Sequence, residues 1–289
     1  MLWAYIVLRV AANPLSNVFQ KLLARDGSDP LFIISITHGL LSLICLPILL
    51  SSFPISLSFW LNISICAVMA VAGNALLVYA VRISDLSVLG PINAYKAVVS
   101  IVPSLVLLHE LPSAAELTGV LLIVAGSYLI VENGEPGNRG AIVQLLGNRG
   151  VQFRVGAMVI SGLEAVFLKR ALNVSSPLST FAAWSVLGFV VSIAVVLPMG
   201  KNRAKSELLL FRKSPWTCLK LAATTGVMQL STIIIFTGYQ VAAGLALFQT
   251  SALILVVLGW KVFGEKDFVR RLLGSAVMVA GSILIVLTH

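Results

Sequence analysis

The sequence carries little charge. Asp, Glu, Lys and Arg make up 11% of its 289 residues, against roughly a quarter in a soluble domain. Hydrophobic residues make up 58%, and the mean hydropathy is +1.01. A chain this apolar needs lipid as its solvent, because water would face more apolar surface than a soluble fold tolerates. Cysteine is scarce. Cys45, Cys66 and Cys218 each sit in or beside an apolar run, with no CxxC spacing, and read as buried free thiols. The histidines His38, His109 and His289 lie far apart without ligand spacing, so neither a metal nor a cofactor is expected. The lack of a P-loop argues against direct ATP coupling. The lack of a Ser/His/Asp set or an HExxH motif makes an intramembrane enzyme the weakest functional alternative.

What is present is basic and periodic. Lys and Arg number 20 against 11 acids, a net charge of +9. The basic residues cluster in short loops between apolar runs, where positive charge marks a cytoplasmic face and anionic lipid. Membrane lipid is therefore an expected partner and nucleic acid is not. The chain enters an apolar run at Leu2 that continues past residue 20, and this reads as a membrane span rather than a removable leader.

A bilayer core of about 30 Å takes roughly 20 helical residues. Runs of that order fall near 2–23, 31–51, 59–81, 86–108, 114–131, 154–171, 178–198, 216–238, 243–262 and 269–287. They predict an all-α integral membrane protein of about ten transmembrane helices. Turn chemistry separates them, as at Asp26-Gly27-Ser28-Asp29-Pro30 and Ser175-Ser176-Pro177. The run 199–215 is too basic to span and is expected on the headgroups. The Gly- and Asn-rich stretch 132–153 reads as a linker between a first repeat, 1–131, and a second, 154–289.

The repeat itself is visible. Val124, Ala125, Gly126 and Ser127 recur as Val279, Ala280, Gly281 and Ser282. The same offset of 155 relates Gly119 to Gly274 and Glu110 to Glu265. Lys21, after Val18 and Phe19, recurs as Lys169, after Val166 and Phe167. Five spans per half is an odd number, so a 5+5 inverted repeat is expected, with its site at the repeat interface near the midplane.

Polar groups inside hydrocarbon mark helix contacts or a cavity. In span one, Asn13, Ser16, Asn17 and Gln20 share one helical face beside Pro14. In span four, Asn93, Lys96 and Ser100 share a face, with Tyr95 adjacent and Pro91 and Pro103 on either side. Span three contributes Asn74, span six Ser161 and Glu164, and span seven Trp184. Span eight contributes Thr225, Gln229 and Thr232, and span nine Gln249 and Ser251. Together they predict a polar substrate pathway. Lys96 and Glu164 are the sharpest of these, being near mid-span, and Glu164 is the candidate for proton coupling. Lys96 has Ser251 as its repeat partner, so a charge breaks the symmetry there. An ammonium suits a carboxylate or phosphate. Lys21 and Lys169, at span ends, are expected to snorkel. Glu110 and Glu265 are expected to be structural, and so is Ser113-Ala114-Ala115-Glu116, as a capping box for span five.

The pattern resembles the EamA-type families of the drug/metabolite transporter superfamily. The resemblance rests on the ten spans, the doubled five-span pattern, Gly264-Glu265 ending span nine, and Gly274 and Ala280-Gly281 in span ten. It rests also on Gly90-Pro91-Ile92-Asn93-Ala94-Tyr95-Lys96. His109 departs from it, standing where such chains often have Gly before Glu. The resemblance implies two bundles, spans one to four and six to nine, with spans five and ten peripheral. The expected function is secondary transport of a small polar metabolite bearing an anionic group, by alternating access. The expected setting is the bacterial cytoplasmic membrane. A flippase for lipid-linked headgroups is the alternative. Family precedent puts both termini in the cytoplasm, whereas the loop cations lie mostly on the opposite side and favour termini outside.

Overall fold

The computed structural model describes residues 2–84, 89, 92–93, 95–111, 113–131, 147–200, 211–264 and 268–287. They form α1 (Leu2–Arg25), α2 (Pro30–Ser51), α3 (Leu57–Ile83), α4 (Tyr95–Leu108), α5 (Ala114–Val131), α6 (Arg149–Leu172), α7 (Pro177–Val196), α8 (Pro215–Ile235), α9 (Val241–Leu247), α10 (Ser251–Phe263) and α11 (Phe268–Leu287). No strand occurs among the described residues. Several starts are set by local chemistry. Asp29 accepts from Leu31 N at 2.9 Å and Ser176 from Ser179 N at 3.1 Å, each with Pro at the first helical position, where a missing N–H costs nothing.

Six helical stretches are long and apolar enough to cross a bilayer: Pro30–Ser51, Leu57–Ile83, Arg149–Leu172, Pro177–Met199, Pro215–Ile235 and Val241–Phe263. Three shorter apolar helices lie within α4, α5 and α11. α1 has 24 residues, but Arg9, Asn13, Asn17, Gln20 and Lys21 interrupt its apolar surface. The outer surface is hydrocarbon-like, with Val7, Leu43, Ile44 and Val106 each more than 60% exposed. This is an integral membrane protein, its lipid-facing side chains doing what core residues do in water.

Packing is pairwise. α1 lies on α8, α3 on α6, α2 on α7, and α5 on α11. The α5–α11 seam is close because it is built on glycine. A Cβ on Gly126 would come 2.7 Å from Gly274 O, and one on Gly281 would come 2.6 Å from Gly119 O. These four glycines are the ones related by the 155-residue offset.

Three boundaries differ from the sequence expectation. Span four is interrupted: Leu89 and Ile92 are helical, Asn93 lies in a turn that holds Lys96 N to Asn93 O at 3.0 Å, and α4 runs from Tyr95. Lys96 is therefore near a helix start and not mid-helix, and Ser100 merely bonds Ala97 O at 2.7 Å. Span nine is broken by a 3-10 turn at Phe248–Thr250 between α9 and α10. The 155-residue offset relates Asn93 to Phe248, so both breaks fall at equivalent places. α6 begins at Arg149 rather than 154, because Asn148 caps it by accepting from Gly150 N at 2.8 Å. Residues 132–146 and 201–210, which hold most of the linker and basic segment, lie outside the described residues. Pro91, Glu265 and the side chain of Glu116 do as well.

The end lysines do not snorkel. Lys21 is 2% exposed, donates to Ser84 O at 3.2 Å and lies over the Phe263 ring at 4.6 Å. Lys169 pairs with Glu110 at 2.5 Å and donates to Tyr239 O at 2.7 Å. Glu110 also accepts from Val241 N at 2.9 Å. The reason is proximity: each lysine finds uncapped carbonyls or a carboxylate at a neighbouring helix end, nearer than the headgroups. Glu110 is structural, as expected. Gly264, ending α10, has φ 65°, and His109, its offset partner just past α4, has φ 56°. The turn is built for glycine in both halves, and one half has histidine.

Candidate functional site: a cationic cavity between the helices

A cavity of about 90 Å³, partly open to solvent, lies among α1, α3, α4, α6, α7, α8 and α9. Most of the polar residues singled out in the sequence line it. Asn13 and Asn17 come from α1, Asn74 from α3, Asn93 and Lys96 from the α4 start. Ser161 and Glu164 come from α6, Trp184 from α7, and Thr225, Gln229 and Thr232 from α8. Besides Ser16 and Ser100, four candidates do not line it: Gln20, Tyr95, Gln249 and Ser251. Two of these hold residues that do. Ser251 accepts from Asn13 Nδ2 at 3.0 Å, and Gln249 Oε1 accepts from Asn93 Nδ2 at 3.5 Å. Both are anchored in turn, Ser251 to Phe248 O at 2.6 Å and Gln249 to Leu245 O at 3.0 Å. The broken helix therefore sets two asparagines on the wall through side chains that are anchored to its own carbonyls.

Two cations were missed in the sequence reading. Arg9 lines the cavity, 8% exposed, donating Nε to Thr232 Oγ1 at 2.7 Å with its guanidinium over Phe248 at 4.5 Å. The signal was there, since Arg9, Asn13 and Asn17 fall at i, i+4 and i+8. Arg154 also lines it, 6% exposed, with Nε bonded to Leu89 O at 3.0 Å. At the edge of the apolar run 154–171 it reads in sequence as a loop cation, but the early start of α6 places it about 7.5 Å inside the helix at 1.5 Å per residue.

Among the described residues the wall holds one carboxylate, Glu164, 8% exposed. Its Oε1 accepts from Trp184 Nε1 at 3.4 Å and lies 4.0 Å from Cys66 Sγ. Trp184 is fixed from behind by His38, with ring centroids 4.5 Å apart. No direct ion pair joins Lys96 to Glu164. Glu164 is nevertheless the strongest opposite charge acting on Lys96, while Arg9 and Arg154 repel it. The wall thus presents three cations to one anion in a low-dielectric setting.

Residues 3–132 match the EamA-like transporter family. These residues belong to that family, within the drug/metabolite transporter superfamily. No curated protein matches the sequence. One solved crystal structure shares the fold from end to end, with a TM-score of 0.68 at 13% identity over 99% of this chain and 99% of that one. The matched residues supply Arg9, Asn13, Asn17, Asn74, Asn93 and Lys96 of the cavity wall.

Proposed function

We propose that this EamA-like protein is a secondary transporter that moves a small polar metabolite carrying an anionic group, by alternating access. The observation that carries this reading is the charge inventory of the cavity, Arg9, Lys96 and Arg154 against Glu164 alone. A charge at the bilayer centre costs at least ~2.5–3.5 kcal/mol on insertion scales. Cations kept for architecture would call for matching carboxylates, and this wall supplies one for three. A carboxylate or phosphate on the substrate is the partner that the excess suits.

Alternating access is supported by the symmetry of the packing. Exchanging each helix with its counterpart in the other half turns the α1–α8 pair into the α6–α3 pair, and maps α2–α7 and α5–α11 onto themselves. That symmetry supports two inverted five-span repeats, α1–α5 and α6–α11 with α9 and α10 as one broken span, able to rock about a shared centre. Glu164 is the coupling candidate, because it is the one carboxyl on the wall among the described residues. The setting proposed is the bacterial cytoplasmic membrane. Loop cations other than Arg154 still favour the face opposite the termini, and a reporter fused to the last residue tests that.

The experiment is a thermal-shift screen of the purified protein at fixed ionic strength against anionic, neutral and cationic metabolites. A ligand at 100 times its Kd stabilises by about 2.7 kcal/mol. The reading expects saturable stabilisation by anions. Stabilisation by neutral or cationic compounds alone overturns it.

A further inference from the structure

The cations of the cavity are not equivalent. Lys96 stands at the start of α4, and its ammonium donates no hydrogen bond within the described residues. Arg9 is held on two sides. Its Nε is bonded to Thr232 Oγ1, whose own hydroxyl is turned into α8 toward Met228 O at 2.8 Å, and one face of the guanidinium is covered by Phe248. These contacts leave the outer edge of the fork fixed in direction. On that edge Nη1 is shielded from solvent and has no partner. One turn earlier on α8, Gln229, 7% exposed, presents Nε2, also shielded and without a partner. Gln229 and Thr232 are i and i+3, so they share the face that Arg9 meets. Both residues line the cavity. Buried donors are almost always satisfied, and two unpartnered donors on the wall of one cavity, contributed by packed helices, call for a common acceptor.

We propose that Arg9 and Gln229 form the primary oxyanion subsite, the place where the substrate's carboxylate or phosphate is fixed, and that Lys96 acts as a secondary cation facing it. This rests on the anionic reading above and names the residues that carry it. A guanidinium edge and an amide N–H₂ on the same cavity wall suit two oxygens of one group, which a lone ammonium does not discriminate.

The test uses the full chain purified in detergent, with thermal stability titrated by acetate, succinate and inorganic phosphate at constant ionic strength. The two carboxylates and the phosphate separate the possible sources of the oxyanion. The variants are Arg9→Lys, Gln229→Ala, their combination, and Lys96→Met. Whichever anion stabilises the parent should bind about tenfold more weakly to Arg9→Lys and several-fold more weakly to Gln229→Ala. The double variant should lose less than the product of the single losses, because both donors serve one group. Lys96→Met should lose less than Arg9→Lys. Without ligand, Gln229→Ala should unfold no earlier than the parent, since it removes an unpaired donor. A fall in its unliganded stability, with ligand affinity unchanged, would mark Gln229 as structural and overturn the subsite. Full affinity in both Arg9→Lys and Gln229→Ala, with loss in Lys96→Met, overturns the subsite and leaves anion transport standing. No response of the parent to any of the three anions removes both. If Arg9→Lys fails to fold, Gln229→Ala decides alone.

Discussion

Glu110→Gln is the perturbation whose size follows most directly from the geometry. The carboxylate just past α4 meets Lys169 of α6 with one oxygen and the Val241 amide of α9 with the other, while Lys169 also reaches Tyr239 O. The two side chains are 11% and 13% exposed. One carboxylate thus joins the ends of three helices. The amide variant keeps the shape but removes the charge, leaving an ammonium with one carbonyl partner. Breaking a buried pair costs 3–5 kcal/mol, and the slight exposure here lowers the expectation to about 2–4 kcal/mol. At roughly 2–4 °C per kcal/mol for a chain of a few hundred residues, the melting midpoint should fall by about 5–10 °C. The assay is thermal unfolding of the purified protein in detergent, for Glu110→Gln, Lys169→Met and the double variant. The double variant should be more stable than the summed losses imply, by about 1 kcal/mol or more. A Glu110→Gln midpoint within a degree or so of the parent, or strictly additive losses, would refute the reasoning.

His109→Gly should raise stability by about 1 kcal/mol, read in the same melt, because it removes the left-handed strain at φ 56° and restores the chemistry of Gly264. Gly126→Val places a side chain where Gly274 O now sits 2.7 Å from a Cβ, so it should cost about 1–3 kcal/mol or more and loosen α11 to proteolysis. Glu164→Gln should make anion-driven stabilisation independent of pH if Glu164 carries the coupled proton. Unchanged pH dependence in that variant assigns coupling elsewhere.

The helices were legible because hydrophobic run length alone distinguishes a span, and the repeat was legible because glycine seams such as Gly126 and Gly281 tolerate no substitute. The breaks were harder. Phe248-Gln249-Thr250 contains neither Pro nor Gly, so nothing local announces a 3-10 turn. The cavity wall was mostly visible as polar letters on helical faces. Gln249 and Ser251 are polar for a different reason, since they hold Asn93 and Asn13 in place. Arg154 was misassigned because a cation at the edge of an apolar run looks like a loop residue until the cap at Asn148 is known. Lys21 and Lys169 were misread because span ends also collect helix termini, whose free carbonyls compete with headgroups for an ammonium.

The central claim is that a water-accessible, net cationic cavity lies at mid-membrane among these helices. Charge-selective thiol labelling tests it without a known substrate. In a background with Cys45, Cys66 and Cys218 replaced, Asn13→Cys on the cavity wall is compared with Leu15→Cys on the outer face of α1. Two excess positive charges at distances of several ångströms favour an anionic sulfonate reagent over a cationic ammonium one by about tenfold or more, even with water-like screening. The account predicts that preference at Asn13→Cys, its reduction in Arg9→Gln, and no labelling at Leu15→Cys. An unreactive Asn13→Cys, or faster reaction with the cationic reagent, would contradict it.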